Sequence, residues 1–198
     1  DSDAIERLKI QYGTSMCYPI SSIGSHVSVI PNHQVFRNTP LHTRANVAYF
    51  GTFGYELDLN KLSYEEISEV KQQIAFMKEY RELIQFGTFY RLKSPFEGNE
   101  TAWMTVSEDK KTALVFWYRE RNVVNADFTR VRLQGLDPDF IYRNEYNGTE
   151  NYGDELMNLG LLTTDCTAGE PTSEDAPCTD YESRIYVLTT VARIPSPL

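Results

Sequence analysis

The residues best equipped for chemistry lie in two short stretches near the start of the chain. Asp1 and Asp3 flank Ser2 at the edge of a helix signal, and His26, Asn32, His33 and Gln34 surround the run "SHVSVIP". A carboxylate at such an edge can act as general acid, nucleophile or metal ligand. Asp3 also has a plain structural use: with Glu6 it makes a capping box, the Asp accepting a backbone N–H and the Glu reaching back. That role is assigned to it. Asn32, His33 and Gln34 place two amides and an imidazole in one loop, with donors and acceptors in fixed directions. Recognition of a hydroxyl-rich ligand needs such a set; the alternative is a polar loop without a ligand. His42 falls inside a helical pattern and is read as a surface or packing residue. Arg37 and Arg44 are read as loop anchors, with substrate contact as the alternative. No Cys/His grouping has zinc spacing. The phosphate-cradling, metalloprotease and nucleophile-elbow motifs are absent, which disfavours those three chemistries.

These groups need elements to hold them. Ile5, Leu8 and Tyr12 share one helical face after the Asp3 cap, and Gly13 is a natural stop. "SHVSVIP" is a short β-branched strand closed by Pro31. "PNHQVFRN" is a polar loop. Thr39 caps a further helix with Pro40 at its first position, running through "LHTRANVAYF" to Gly51. Ser63 and Glu66 form a second capping box, and Ile67, Val70, Ile74 and Met77 follow at helical spacing to an end near Tyr80. Asp1, Ser2 and Asp3 thus stand where a preceding parallel strand would end. In a (β/α) barrel that edge is the catalytic face. A single parallel strand needs neighbours on both sides, so the helical part reads as the last piece of a larger α/β body.

From about Ile84 the pattern changes to period two. Candidate strands are "LIQFGTFYRL", "TAWMTVS", "TALVFWYRE", "TRVRLQG", "FIYRNEY" and "SRIYVLTTVA", separated by turns such as "SEDKK", "GLDPD" and "NGTEN". This spacing predicts an antiparallel β-sandwich. The aromatic stretches "YEL" at 55–57 and "FGTFYRL" at 86–92 are read as core rather than as sugar-stacking faces, and so are Trp103 and Trp117. The sequons at Asn99 and Asn147 are read as turns. The expected division is 1–83 and 84–198.

The chain has 198 residues, a formal net charge of −9 and 41% hydrophobic residues, which describes a globular chain with a sizeable core. Uniform acidity repels phosphate backbones and disfavours nucleic acid as a partner. No apolar run approaches the roughly 20 residues of a membrane helix. The three cysteines make no disulfide framework. Cys166 and Cys178 could close a loop in an oxidising compartment; two reduced thiols are expected, and the composition points to the cytoplasm.

Taken together, "DAIERLKIQYGTS", "HVSVIPNHQ", "NVAYFGTFGYELDL", "QFGTFYRL" with "SPFEGNETAWM", and "GDELMNLGL" closely resemble the C-terminal part of the large α-galactosidases of glycoside hydrolase family 36. The likeness runs nearly end to end, with several long motifs in order. It implies the last βα units of a (β/α)8 TIM barrel followed by a C-terminal antiparallel β-sandwich. It implies retaining hydrolysis of terminal α-1,6-galactosyl units of raffinose-type oligosaccharides, a homo-oligomer, often a tetramer, and no metal or organic cofactor. The family's acid/base is the first Asp of a run resembling Ser-Asp-(Asn/Asp)-(Thr/Ser)-Asp-Ala. Ser2 and Asp3 match its last pair before Ala4, so the acid/base is expected immediately before Asp1 or at Asp1 itself. The nucleophile belongs to a Lys-Trp-Asp stretch that this sequence does not contain. The isolated chain is therefore expected to be inactive without the remainder of its catalytic domain. Related readings are a raffinose or stachyose synthase-like transferase, an α-N-acetylgalactosaminidase, and a non-catalytic sugar-binding or oligomerisation module.

Overall fold

The computed structural model describes residues 2–124, 127–163 and 180–194, which divide into two compact units, 1–86 and 87–198. In the first unit, helix α1 spans Ala4–Thr14 and buries Ala4, Ile5, Leu8 and Tyr12. Its cap is as expected: the Glu6 amide donates to Asp3 Oδ2 at 3.0 Å. Gly13 does not end it, because the helix continues to Thr14 and Ser15 takes the C-cap position. Strand β1 (His26–Ser28) pairs in parallel with β2 (Gly54–Glu56), in the register Val27 to Tyr55. β2 is the parallel neighbour that the sequence did not reveal. Helix α2 (Leu41–Ala48) connects the two strands. Pro40 occupies its N-cap, so the helix starts one residue later than expected, and Thr39 makes no side-chain cap there.

Helix α3 (Tyr64–Phe86) starts with the expected capping box: Ser63 N donates to Glu66 Oε2 at 2.8 Å and Glu66 N to Ser63 Oγ at 3.2 Å. It runs past Tyr80 to Phe86, so residues 83–86 finish a helix and do not begin a strand. The expected boundary near 84 thus falls in the last turn of α3. The reason is visible in the buried stripe, where Val70, Met77 and Ile84 recur every seventh residue and carry the helical face onward. Tyr55, read as core, packs within this unit. Its ring meets Phe53 at 5.3 Å and its hydroxyl donates to Gln73 Oε1 at 2.7 Å.

The second unit is a six-stranded antiparallel sheet in the order β3 (Thr88–Lys93), β4 (Glu100–Val106), β5 (Thr112–Arg119), β10 (Glu182–Arg193), β7 (Phe140–Asn144), β8 (Glu150–Tyr152). The final strand fills the middle. One sheet face presents Ala102, Met104, Val106, Val115, Trp117 and Leu188. Over it lie β6 (Arg130–Val131), β9 (Leu161–Leu162) and helix α4 (Gly153–Asn158), supplying Val131, Leu133, Leu156 and Leu161. The expected sandwich therefore has a thin second layer. Of the strand expected over 129–135 only Arg130–Val131 pairs in a ladder; beyond it the Leu133 amide turns to the Leu156 carbonyl at 3.0 Å. Trp103 and Trp117 are buried, as core. Both sequons are turn-formers: Asn99 bonds the Arg121 backbone at both its amide atoms, and Asn147 Oδ1 accepts from Thr149.

Candidate functional site at the end of strand β1

The chain leaving β1 passes through a cis Ile30–Pro31 bond and folds into a loop that closes at Arg37. Asn32 organises it. The Asn32 amide donates to the Arg37 carbonyl at 3.0 Å, and its own carbonyl accepts from Phe36 at 2.9 Å. The Asn32 side-chain oxygen accepts from Gln34 N at 2.9 Å and Val35 N at 3.1 Å. This is the Asx arrangement, in which a short amide replaces a missing turn of backbone bonding. Phe36 sits in the left-handed region at φ 55° and turns the chain back.

Two ties then fix this loop to the beginning of α1. Asn32 Nδ2 donates to Ser2 Oγ at 3.0 Å. The Arg37 guanidinium pairs with the Asp3 carboxylate, and its other terminal nitrogen lies 3.6 Å from Glu6 Oε1. Asp3 is 3% exposed, so its charge is held by the helix amide and by Arg37 together. The loop after β1 and the residues entering α1 are therefore joined by a hydrogen bond and an ion pair.

The sequence-derived candidates separate in this frame. Asp1 lies outside the described residues, as do Cys166 and Cys178. Asn32 is 3% exposed and its amide is engaged, so it positions the loop. His33 and Gln34 are exposed. His26 stands at the N-terminal end of β1, beside Gly54, and takes no part in this edge. His42 is exposed on α2. Arg37 and Arg44 are anchors, as read. Arg44 Nε donates to the Thr39 carbonyl at 3.0 Å and Nη1 to the Ser28 carbonyl at 2.7 Å. Burial lowers the Arg44 pKa, and the acidic Glu66 and Glu69 partly offset this. The partnership of Arg37 with Asp3 spans 34 positions. Its only trace in the sequence is a cation within a polar loop.

No helix among the described residues is long and apolar enough to cross a membrane, and they hold no group of three His, Cys, Asp or Glu side chains able to bind a metal.

Two family models match in order along the chain: Melibiase over residues 1–87 and the glycosyl hydrolase family 36 C-terminal domain over residues 100–188. The α-galactosidase AgaA of Geobacillus stearothermophilus is 55% identical over 161 residues, which cover 81% of this chain and 22% of the relative. The crystal structure of a doubly substituted variant of that enzyme in complex with raffinose superposes with a TM-score of 0.87 at 48% identity, covering 96% of this chain and 25% of the other. The α-galactosidase structure from Lactobacillus brevis gives a TM-score of 0.89 at 42% identity, over 100% of this chain and 26% of that one. This chain thus spans about a quarter of the length of the proteins it resembles, and two successive family models, close relatives and shared fold together place it in glycosyl hydrolase family 36.

Proposed function

We propose that this chain is the C-terminal part of a retaining α-galactosidase that removes terminal α-1,6-galactosyl units from raffinose-type oligosaccharides. The observation that carries the reading is the double tie of Asn32 to Ser2 and of Arg37 to Asp3. It fastens a polar loop with exposed His33 and Gln34 to the chain entering α1, at the C-terminal end of a parallel strand. Retaining hydrolysis needs two carboxyl groups about 5–5.5 Å apart, one attacking the anomeric carbon and one protonating the leaving oxygen. Asp3 is unsuited to either task, because one of its oxygens already serves the Glu6 amide and Arg37. The acid/base belongs at, or immediately before, Asp1, next to the tied Ser2 and Asp3. The nucleophile comes from the remainder of the catalytic domain, as fits a chain that covers 22% of its relative. Asn32 positions the loop, and His33 and Gln34 meet substrate hydroxyls. This two-carboxylate reaction requires no cofactor. A cytoplasmic homo-oligomer, a tetramer, completes the reading.

The sugar-binding module has less support. Among the described residues of the second unit the exposed aromatics Phe96, Phe128 and Tyr146 lie in connections and not in a strand, which does not favour a stacking platform.

The test is incubation of the full-length protein with raffinose while the released galactose is followed by NMR. Free α-galactose appearing first, with sucrose as co-product, is expected. First release of the β-anomer overturns retention, transfer to a second sugar without free galactose indicates a synthase, and no turnover defeats the proposal.

A further inference from the structure

The hairpin between β7 and β8 brings together three exposed residues, Asn147, Gly148 and Thr149. Asn147 is the only asparagine in the sequence followed by glycine; every other one is followed by a residue with a side chain. A side chain at that next position hinders any approach of its backbone nitrogen to the carboxamide before it. Gly148 offers no such hindrance. It sits at φ 74°, and a Cβ added there would meet nothing within 4 Å. A glycine in open space changes its backbone angles at little cost.

The Asn147 side chain is folded along the chain. Its Oδ1 accepts from Thr149 N at 3.1 Å and from Thr149 Oγ1 at 2.7 Å. The ring closed by the Thr149 amide runs through both Cγ of Asn147 and the nitrogen of Gly148, so these two atoms are held within one small loop. The two donors also stand where negative charge would develop on Oδ1 if a nucleophile added to Cγ. Asn99, in the other sequon, lacks this arrangement: both its amide atoms bond the Arg121 backbone, and Glu100 follows it. One contact opposes the reaction. Gly148 N donates to the Asn144 carbonyl at 2.7 Å. That bond must open before the nitrogen can attack, and an exposed hairpin tip is where local opening costs least.

We propose that Asn147 is a site of spontaneous covalent modification, at which the turn closes a succinimide on the Gly148 nitrogen while Thr149 stabilises the oxyanion. The Gly148 nitrogen gives up its proton and bonds Cγ. The Cγ–Nδ2 bond breaks, and ammonia leaves carrying that proton. Water then opens the imide at either carbonyl. Cleavage of the new bond gives aspartate at 147. Cleavage of the original peptide bond gives isoaspartate, with the chain running through the side-chain carboxyl. The sum is asparagine and water to a carboxylic acid and ammonia, with no other reactant. The product adds a negative charge to a hairpin that already carries Glu145 and Glu150. This chemistry is independent of the α-galactosidase reading.

The test holds the full-length protein, Thr149→Val and Thr149→Ser folded in neutral buffer. Each is then digested in mild acid, and every asparagine peptide is followed by mass spectrometry, with an isoaspartyl methyltransferase reporting isoaspartate. Asn147 is expected to lose its amide before any other asparagine and to yield both aspartate and isoaspartate. Thr149→Val should slow the loss severalfold, and Thr149→Ser, which keeps the hydroxyl, should not. An amide retained at Asn147 while the protein stays folded, an earlier loss at another asparagine, or aspartate without isoaspartate overturns the ring closure. Equal rates in Thr149→Val and Thr149→Ser overturn the part given to the Thr149 hydroxyl.

Discussion

Arg37 and Asp3 stand 34 positions apart in sequence and share one ion pair, in which the Asp3 side chain is 2% exposed and that of Arg37 21%. The same Asp3 oxygen receives the Glu6 amide, so a helix cap and an inter-element tie meet in one carboxylate. Removing the cation strands a buried charge, which costs more than the pair itself contributes. Arg37→Met in the full-length protein should lower unfolding free energy by about 3 kcal/mol. Asp3→Asn, which keeps an oxygen for the cap but no charge, should cost less. Denaturant midpoints of the two variants check the order, and equal losses would show that the cap alone matters.

Asn32 and His33 are neighbours with different work. Asn32→Ala removes the acceptor for two loop amides and the donor to Ser2. Expected are a stability loss of about 2 kcal/mol and a fall of ten- to a hundredfold in kcat/KM for α-galactosides, since a shifted loop misplaces its contacts. His33→Ala removes only an exposed imidazole. Its melting temperature should be unchanged while kcat/KM falls by a smaller factor. Unchanged kinetics in both variants would remove the loop from the site.

These contrasts also show what the sequence could express. The Asp3 and Ser63 caps were legible because capping is local chemistry at fixed spacing. The end of α3 was not, because "LIQF" fits a strand as well as a helix, and only the buried partners of Ile84 decide between them. β2 escaped notice as three partly exposed residues without a β-branched side chain. α4 and the β6–β9 ribbon are equally short and form by covering the sheet. At the candidate site, residue types singled out the loop, but only the fold shows that Asn32 is buried and His33 exposed.

Tyr142 gives the second unit a pH response at the alkaline end. Its hydroxyl donates to the Lys110 carbonyl at 2.6 Å and accepts from Asp137 N at 3.0 Å. Burial raises its pKa to about 12, with the Asp137 and Asp109 charges adding and the Asp137 amide opposing. A folded value above the unfolded value of about 10 stabilises the fold fully below pH 10, and that contribution disappears as pH rises through 12. The stability difference between the unmodified protein and Tyr142→Phe should therefore be constant from neutral pH to about pH 10 and shrink above it. Denaturant unfolding at stepped pH measures this, and a difference that persists undiminished through pH 12 would refute the assignment.

Two glycines in helices should respond to alanine with opposite sign. A Cβ on Gly13, near the end of α1, meets nothing within 4 Å. There alanine lowers the entropy of the unfolded chain and suits the helix, for a gain of about 0.5–1 kcal/mol. A Cβ on Gly153, at the start of α4, would overlap the Asp137 carbonyl oxygen and lie 3.1 Å from the Tyr142 ring. That oxygen is backbone, fixed in a connection where Phe140 N also donates to it at 3.2 Å and Asp154 N reaches the Pro138 carbonyl at 3.4 Å. Relief requires α4 to lift from the sheet and uncover Leu156, one of the residues that close the core. Gly153→Ala should cost about 3 kcal/mol, lowering the denaturant midpoint of the full-length protein while Gly13→Ala raises it. A neutral Gly153→Ala would mean that α4 is free to shift, and that the thin second layer does not hold the sheet's core closed.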